Sequence, residues 1–275
     1  MADERTVFLV SDQTGVTVET LGHTLLTQFD TVKFRLVTVP FVDTVDKARQ
    51  VAARINRTAE RDGVRPIVFT SLVQDDVREP LLRCNGLVLD FFEAFIAPLE
   101  QELAVRSSHT LGRAHGMFDV QSYDQRIDAT NYAIAADDGH GVQYYDRADV
   151  ILIGVSRCGK TPTCLYLALQ YGVFAANYPL AEEDLESGRL PRALEPYRAK
   201  LYGLTISPER LRQIRLERRS LGRYATPQQV SFELRAAEAL FKKHGIPHVD
   251  TTHSSIEEIA SKILSETGIE RRVRS

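Results

Sequence analysis

Eight consecutive residues, Gly154-Val155-Ser156-Arg157-Cys158-Gly159-Lys160-Thr161, have the types and spacing to hold phosphate. They fit G-x-x-x-x-G-K-[ST]. In that pattern the glycines let backbone N–H groups close around phosphate, the lysine reaches the terminal phosphates, and the hydroxyl helps hold Mg²⁺. All eight are candidate nucleotide-binding residues, with Lys160 also a candidate catalytic residue and Thr161 a candidate metal ligand. Val150-Ile151-Leu152-Ile153 precedes them and reads as a buried strand. Thr163 to Tyr171 comes next as a helix, with Leu165, Ala168 and Leu169 on one face. A loop between a strand and a helix N-terminus aims N–H groups and the helix dipole at an anion. The expected ligand is a nucleoside polyphosphate. The bland alternative is a glycine-rich turn with Lys160 merely solvated.

Phosphoryl transfer also needs a carboxylate near the metal or the acceptor hydroxyl. The usual place is the end of a neighbouring strand, but Val173 to Leu180 and Leu201 to Ile206 carry no Asp. The nearest candidates are Asp137, Asp138, Asp149 and Asp250. The pair Asp137-Asp138, on the flexible-looking turn Asp137-Asp138-Gly139-His140-Gly141, is preferred as metal ligand or general base. Its alternative is an ordinary polar turn ending a helix.

Other groups are less decisive. Arg212, Arg215 and Arg219 fall on one helical face within a run of arginines from Arg210 to Arg223. Such a stripe suits phosphate or an acidic partner, or is simply a solvated face. Ser11-Asp12-Gln13-Thr14-Gly15-Val16-Thr17 repeats the strand–turn–helix plan without a lysine, as an anion site or an N-capping turn. The seven histidines lack metal-ligand spacing, and only His109 and His115 stand in a Gly/Ser-rich setting. Cys158 reads as a small residue tolerated in the loop or as a reactive thiol.

These residues need a scaffold. Val7 to Val10, Phe34 to Val42, Ile67 to Phe69 and Leu87 to Leu89 read as strands. They alternate with helices over Val16 to Phe29, Thr44 to about Arg61, and Asp75 to Arg83. That rhythm implies a mostly parallel sheet. From Ala94 to Arg147 it breaks, into an amphipathic piece (Phe95, Ile96, Leu99, Leu103) and a helix from Ser122 to Ala136. After Ala148 it resumes, with strands at Val173 to Ala176, Leu201 to Ile206 and from Val249. Ser207-Pro208 and Thr226-Pro227 each cap a helix, the second ending near His244 at Gly245. Ser255-Ile256-Glu257-Glu258 is a capping box for a last helix stopping at Gly268. The expected fold is α/β. An N-terminal parallel-sheet α/β domain (1–105) precedes a P-loop kinase-like α/β domain (148–275), and a connector (106–147) between them folds onto the second domain.

A length of 275 residues suffices for one large domain or two modest ones, and 43% hydrophobic content supports a real core. A net charge of −3 demands neither nucleic acid nor a membrane surface as partner. The charged N-terminus is no signal peptide, and no apolar run approaches membrane-spanning length. Three cysteines without C-x-x-C spacing fit free thiols in the cytoplasm.

The chain resembles the phosphoenolpyruvate synthase regulatory proteins and the related pyruvate,phosphate dikinase regulatory proteins. The phosphate loop with Pro162-Thr163 and Leu165-Tyr166-Leu167-Ala168 carries the likeness. Ser11 to Gly15, Ala136 to Gly139, Ala176 to Leu180, Gly203 to Ile206, Arg218-Arg219 with Arg223-Tyr224-Ala225, and Ser255 to Ala260 extend it along nearly the whole chain. Cys158 and Cys164 depart from it, standing where small hydroxyl residues are expected. The resemblance implies a bifunctional enzyme. It would phosphorylate a threonine of phosphoenolpyruvate synthase with ADP as donor, and reverse this with inorganic phosphate, releasing pyrophosphate. The Arg219 to Ala225 region looks closer to the synthase-directed branch than to the dikinase-directed one. Asp137 or Asp138 is its implied base, by position in the motif. Competing readings are a small-molecule kinase of the shikimate or adenylate kinase type and a nucleotide sensor without turnover. A homo-oligomer is compatible with all of them.

Overall fold

A computed structural model describes residues 4–108, 120–217 and 223–273. The chain divides into two compact units, Met1–Gly116 and Met117–Ser275. Both are α/β, as expected.

The first unit runs β1 (Arg5–Val10), α1 (Val16–Leu26), β2 (Phe34–Val39), α2 (Val45–Asp62), β3 (Ile67–Thr70), α3 (Asp75–Leu82), β4 (Leu87–Asp90) and α4 (Phe91–Leu103). Its sheet is parallel in the order β2-β1-β3-β4. Phe8 and Val10 pack with α2 residues Ala48, Val51, Ala52 and Ile55 on one face. Val7, Leu9 and Phe69 pack with Val18 and Leu26 of α1 on the other. The period-two alternation of β1 thus feeds two cores. Thr44 caps α2 by accepting from the Lys47 N–H at 3.3 Å, as its position predicts. The amphipathic piece is the body of α4, and no side chain of it is buried within the unit.

The second unit runs α5 (Val120–Ala135), β5 (Val150–Gly154), α6 (Lys160–Tyr171), β6 (Ala175–Pro179), α7 (Glu182–Ser187), β7 (Leu201–Thr205), α8 (Pro208–Glu217), α9 (Pro227–His244), β8 (His248–Asp250) and α10 (Ile256–Thr267). The sheet is parallel again, ordered β6-β5-β7-β8. β5 is buried along its full length, which explains its unbroken apolar run. Ala129, Tyr132, Ala133 and Ala136, in and just after α5, belong to this core. The Thr226 cap, the Ser255–Glu258 box and the left-handed glycines Gly245 and Gly268 all stand where the sequence predicts.

Three local expectations shift. The strand read at Val173 to Ala176 lies at Ala175–Pro179, so its end carries Asn177 and Tyr178. α6 begins at Lys160 rather than Thr163, because Gly159 (φ 98°) ends the loop there. The buried face of α6 is Thr163, Cys164, Leu167, Ala168 and Tyr171, whereas Leu169 is exposed.

Candidate functional site

In this unit β6 and β7 flank β5, so the chain leaves β5 at a point where the strand order reverses. Such a switch point opens a crevice at the carboxyl ends of the strands. Residues Gly154 to Thr161 lie there, between β5 and α6. A side chain at Gly154 would stand 2.5 Å from the Leu204 carbonyl oxygen and 2.9 Å from Cys158 Sγ. Only glycine lets the loop leave the sheet so close to β7. Arg157 holds a left-handed backbone (φ 76°), as does Gly159. Thr251, just past β8, ties the loop to the sheet: its hydroxyl donates to Cys158 O at 3.2 Å and Thr205 O at 3.0 Å.

Lys160 is buried, and its Nζ donates back to Val155 O at 2.8 Å. The ammonium is folded across the loop rather than solvated. Thr161 Oγ1 donates to Asp137 Oδ1 at 2.9 Å. The Asp137–Gly139 turn therefore meets the first turn of α6. Asn177 binds both halves of that turn: its Nδ2 donates to Asp137 Oδ1, and its Oδ1 accepts from the Asp138 N–H at 3.1 Å. The Asn177 N–H also donates to Ala136 O at 3.2 Å, and Tyr145 Oη donates to Asn177 O at 2.9 Å. A turn that composition paints as flexible is thus tied to β6 along its length. Asp138 adopts a left-handed backbone (φ 48°, ψ 36°) and exposes its side chain, while Asp137 is half-buried.

Among the described residues, the other candidate carboxylates make no hydrogen bond to the loop, although Asp250 ends β8 at the same end of the sheet. Asp149 precedes β5, at the end of the sheet away from the loop, paired with Arg272 and the Phe174 N–H. Asp250 Oδ1 accepts from the Thr252 N–H at 2.8 Å and from the Thr252 hydroxyl. Of the four carboxylates, Asp137 is the one hydrogen-bonded to the loop. Arg215 does not share a solvated face with Arg212: Arg212 is exposed and Arg215 has no exposed surface. Arg218, Arg219, His109 and His115 lie outside the described residues, as does the side chain of Arg223. In the first unit, Gly15 (φ 88°) starts α1 without a side-chain cap. The buried Asp12 carboxylate beside it accepts from the Val73 N–H at 3.1 Å. That negative charge opposes an anion there and favours the plain turn. Cys164 is fully buried, with Sγ donating to Ala176 O at 3.4 Å; burial first, then the Asp137 charge, pushes its thiol up.

The sequence placed Asn177 and Tyr224 only within the family-like segments Ala176 to Leu180 and Arg223-Tyr224-Ala225, without a role for either, and gave no sign of the buried position of Arg215. Only Asn177 left a local sign, a polar residue closing an otherwise apolar strand.

Fold and site place the chain among parallel α/β proteins built around a glycine-rich strand–loop–helix junction. A model of the kinase/pyrophosphorylase family matches residues 7–264, so the chain belongs to that family. A protein of Pseudomonas putida strain W619 is 51% identical over 271 residues, covering 98% of this chain and all of the relative. A protein of Pseudomonas aeruginosa strain LESB58 is 52% identical over 274 residues, the full length of both. A third, from Pseudomonas fluorescens strain Pf0-1, is 51% identical over 271 residues. Each is named, provisionally, a phosphoenolpyruvate synthase regulatory protein, in keeping with the resemblance read from the motifs. No helix among the described residues is long and apolar enough to cross a membrane.

Proposed function

We infer that the chain regulates phosphoenolpyruvate synthase by moving a phosphoryl group from ADP to a threonine of that enzyme, and from that threonine to inorganic phosphate. The observation that carries this reading is the junction of Lys160, Thr161 and Asp137 at the open end of the sheet. The loop N–H groups and Lys160 hold the α- and β-phosphates, with Lys160 exchanging Val155 O for phosphate oxygens. The threonine oxygen attacks the β-phosphorus and the bond to the bridging oxygen breaks. Phosphothreonine and AMP result. Asp137 takes the threonine proton. In the other direction Asp137 takes the proton of hydrogen phosphate as its oxygen attacks phosphothreonine, the P–O bond to threonine breaks, Asp137 gives that proton to the threonine oxygen, and pyrophosphate leaves. The Thr161 hydroxyl, held by Asp137 Oδ1 at 2.9 Å, fits Mg²⁺, which takes few protein ligands beside substrate phosphates. Bound there, it would neutralise charge on the transferring group.

The names of the full-length relatives support synthase as the target. Incubation with purified phosphoenolpyruvate synthase and ADP should yield a new phosphothreonine by mass spectrometry, and Lys160→Ala should abolish both directions. Parallel reactions with ATP, and with pyruvate,phosphate dikinase, settle donor and target. No phosphothreonine with either nucleotide would sink the reading and favour a small-molecule kinase.

A further inference from the structure

The phosphate loop is gripped from outside by side chains that its motif does not contain. Ser156 is the point of grip. Its carbonyl accepts from Arg215 Nη2 at 3.2 Å, and its hydroxyl accepts from Tyr224 Oη at 2.8 Å. Arg215, on α8, also donates through Nη1 to Tyr224 O at 2.8 Å and through Nη2 to Glu233 Oε2 at 2.6 Å. Its guanidinium lies 3.9 Å from the centre of the Tyr224 ring. Glu233, on α9, uses its second oxygen to accept from Gln229 Nε2 at 3.1 Å. One arginine thus joins α8, α9 and the Tyr224 segment to a single residue of the loop.

Burying such an ion pair is a poor way to stabilise a fold, because apolar residues of like volume do as well or better. What this pair achieves is direction. Ser156 is followed at once by Arg157, whose left-handed backbone is strained for a residue with a side chain. A loop of that shape needs outside support to persist without a ligand. Arg215 and Tyr224 supply it at the residue before the strained one, from both the backbone and the side chain. They do so with the Arg215 charge already engaged by Glu233 rather than aimed at the ligand position.

We propose that Arg215 is a positioning residue that, with Tyr224, holds Ser156 so that the loop N–H groups are aimed at phosphate before the ligand arrives. The proposal rests on the reading of this loop as the binding site for a nucleoside diphosphate. Preorganisation of this kind spares the ligand the cost of ordering the loop, so its loss shows in affinity more than in the chemical step.

The test uses the full chain as wild type, Tyr224→Phe, Arg215→Lys and Lys160→Ala. Three quantities are read: ADP and pyrophosphate affinity by calorimetry, Tm, and hydrogen exchange of the amides of residues 154–160. Tyr224→Phe keeps the ring and its stacking and removes one hydrogen bond. It should leave Tm unchanged, speed exchange of the loop amides without ligand, and weaken ADP about fivefold. Arg215→Lys keeps a positive charge for Glu233 but lacks the planar fork. It should weaken ADP by about tenfold or more, raising KM for ADP while kcat at saturation stays within about twofold. Saturating ADP should restore loop protection in both variants. The proposal is overturned if both variants bind ADP as the wild type does. It is also overturned if their losses track a general fall in Tm with faster exchange across the whole sheet. If the wild type binds neither ADP nor pyrophosphate, the nucleotide reading is what fails. Faster loop exchange in Tyr224→Phe would then still support the brace.

Discussion

The carboxylate of Asp137 carries two hydrogen bonds on the same oxygen. Thr161 Oγ1 and Asn177 Nδ2 both donate to Oδ1, so on the proposed function Oδ2 is the oxygen left to take a proton from the acceptor. Asp137→Asn keeps the shape and removes the base. Transfer should fall about a hundredfold or more in both directions, with ADP affinity within a few fold of wild type. Asp138 is anchored through its backbone N–H, which substitution preserves, and its side chain is exposed. Asp138→Asn should cost less than about tenfold in the same assay. Equal losses in the two variants would mean that the pair works as a unit and that Asp137 has no special part. The sequence could name the pair but not choose between its members, because the choice depends on which one reaches Thr161.

Elements set the precision of the site. Gly154→Ala would drive a Cβ against the Leu204 carbonyl, a backbone atom that cannot swing away. It should cost about 1–3 kcal/mol in denaturant unfolding, with weaker ADP binding because the loop must shift. Ser255→Ala removes one side of a reciprocal box, in which Ser255 Oγ accepts from the Glu258 N–H and Glu258 Oε2 accepts from the Ser255 N–H. A loss of about 1 kcal/mol is expected by the same measurement. In the first unit, burial raises Asp12 above its ordinary 3.8, against backbone hydrogen bonds that pull it down. A raised carboxyl binds its proton more tightly in the folded state, so its contribution is greatest at low pH and is lost as pH rises past that value. Asp12→Asn cannot ionise. Its stability relative to wild type should therefore improve between pH 4 and pH 7, read from urea midpoints; a constant difference would contradict the burial account. Caps and terminating glycines were legible in the sequence because each depends on a few adjacent residues. The limits of β6 were not, since Val173 to Pro179 is equally apolar at its start and the pairing with β5 decides where the strand begins.

At the scale of the molecule, every residue of the candidate site lies in the unit Met117–Ser275, which has its own core. A fragment spanning 117–275 should therefore fold cooperatively and keep ADP affinity within a few fold, checked by thermal unfolding and calorimetry. A fragment that stays unfolded would show that the second unit depends on the first. Each unit carries one parallel sheet in which the first strand lies between the second and third. The alternation of strand and helix signals announced two such sheets. It could not announce their strand order, which depends on how each crossover packs.

The sequence by itself determined the glycine-rich strand–loop–helix junction, the caps, the two α/β halves and the family. These depend on contiguous residues, whose spacing dictates backbone geometry wherever it occurs. Only the tertiary structure decided which carboxylate stands beside Thr161 and which groups Arg215 touches. Those answers join residues 24 and 59 positions apart. They exist because β6 and β7 flank β5 and bring Asn177 and α8 to the ends of one loop. Hydrogen bonds over that separation are set by strand order, which follows from how the crossovers pack and which no single local segment encodes.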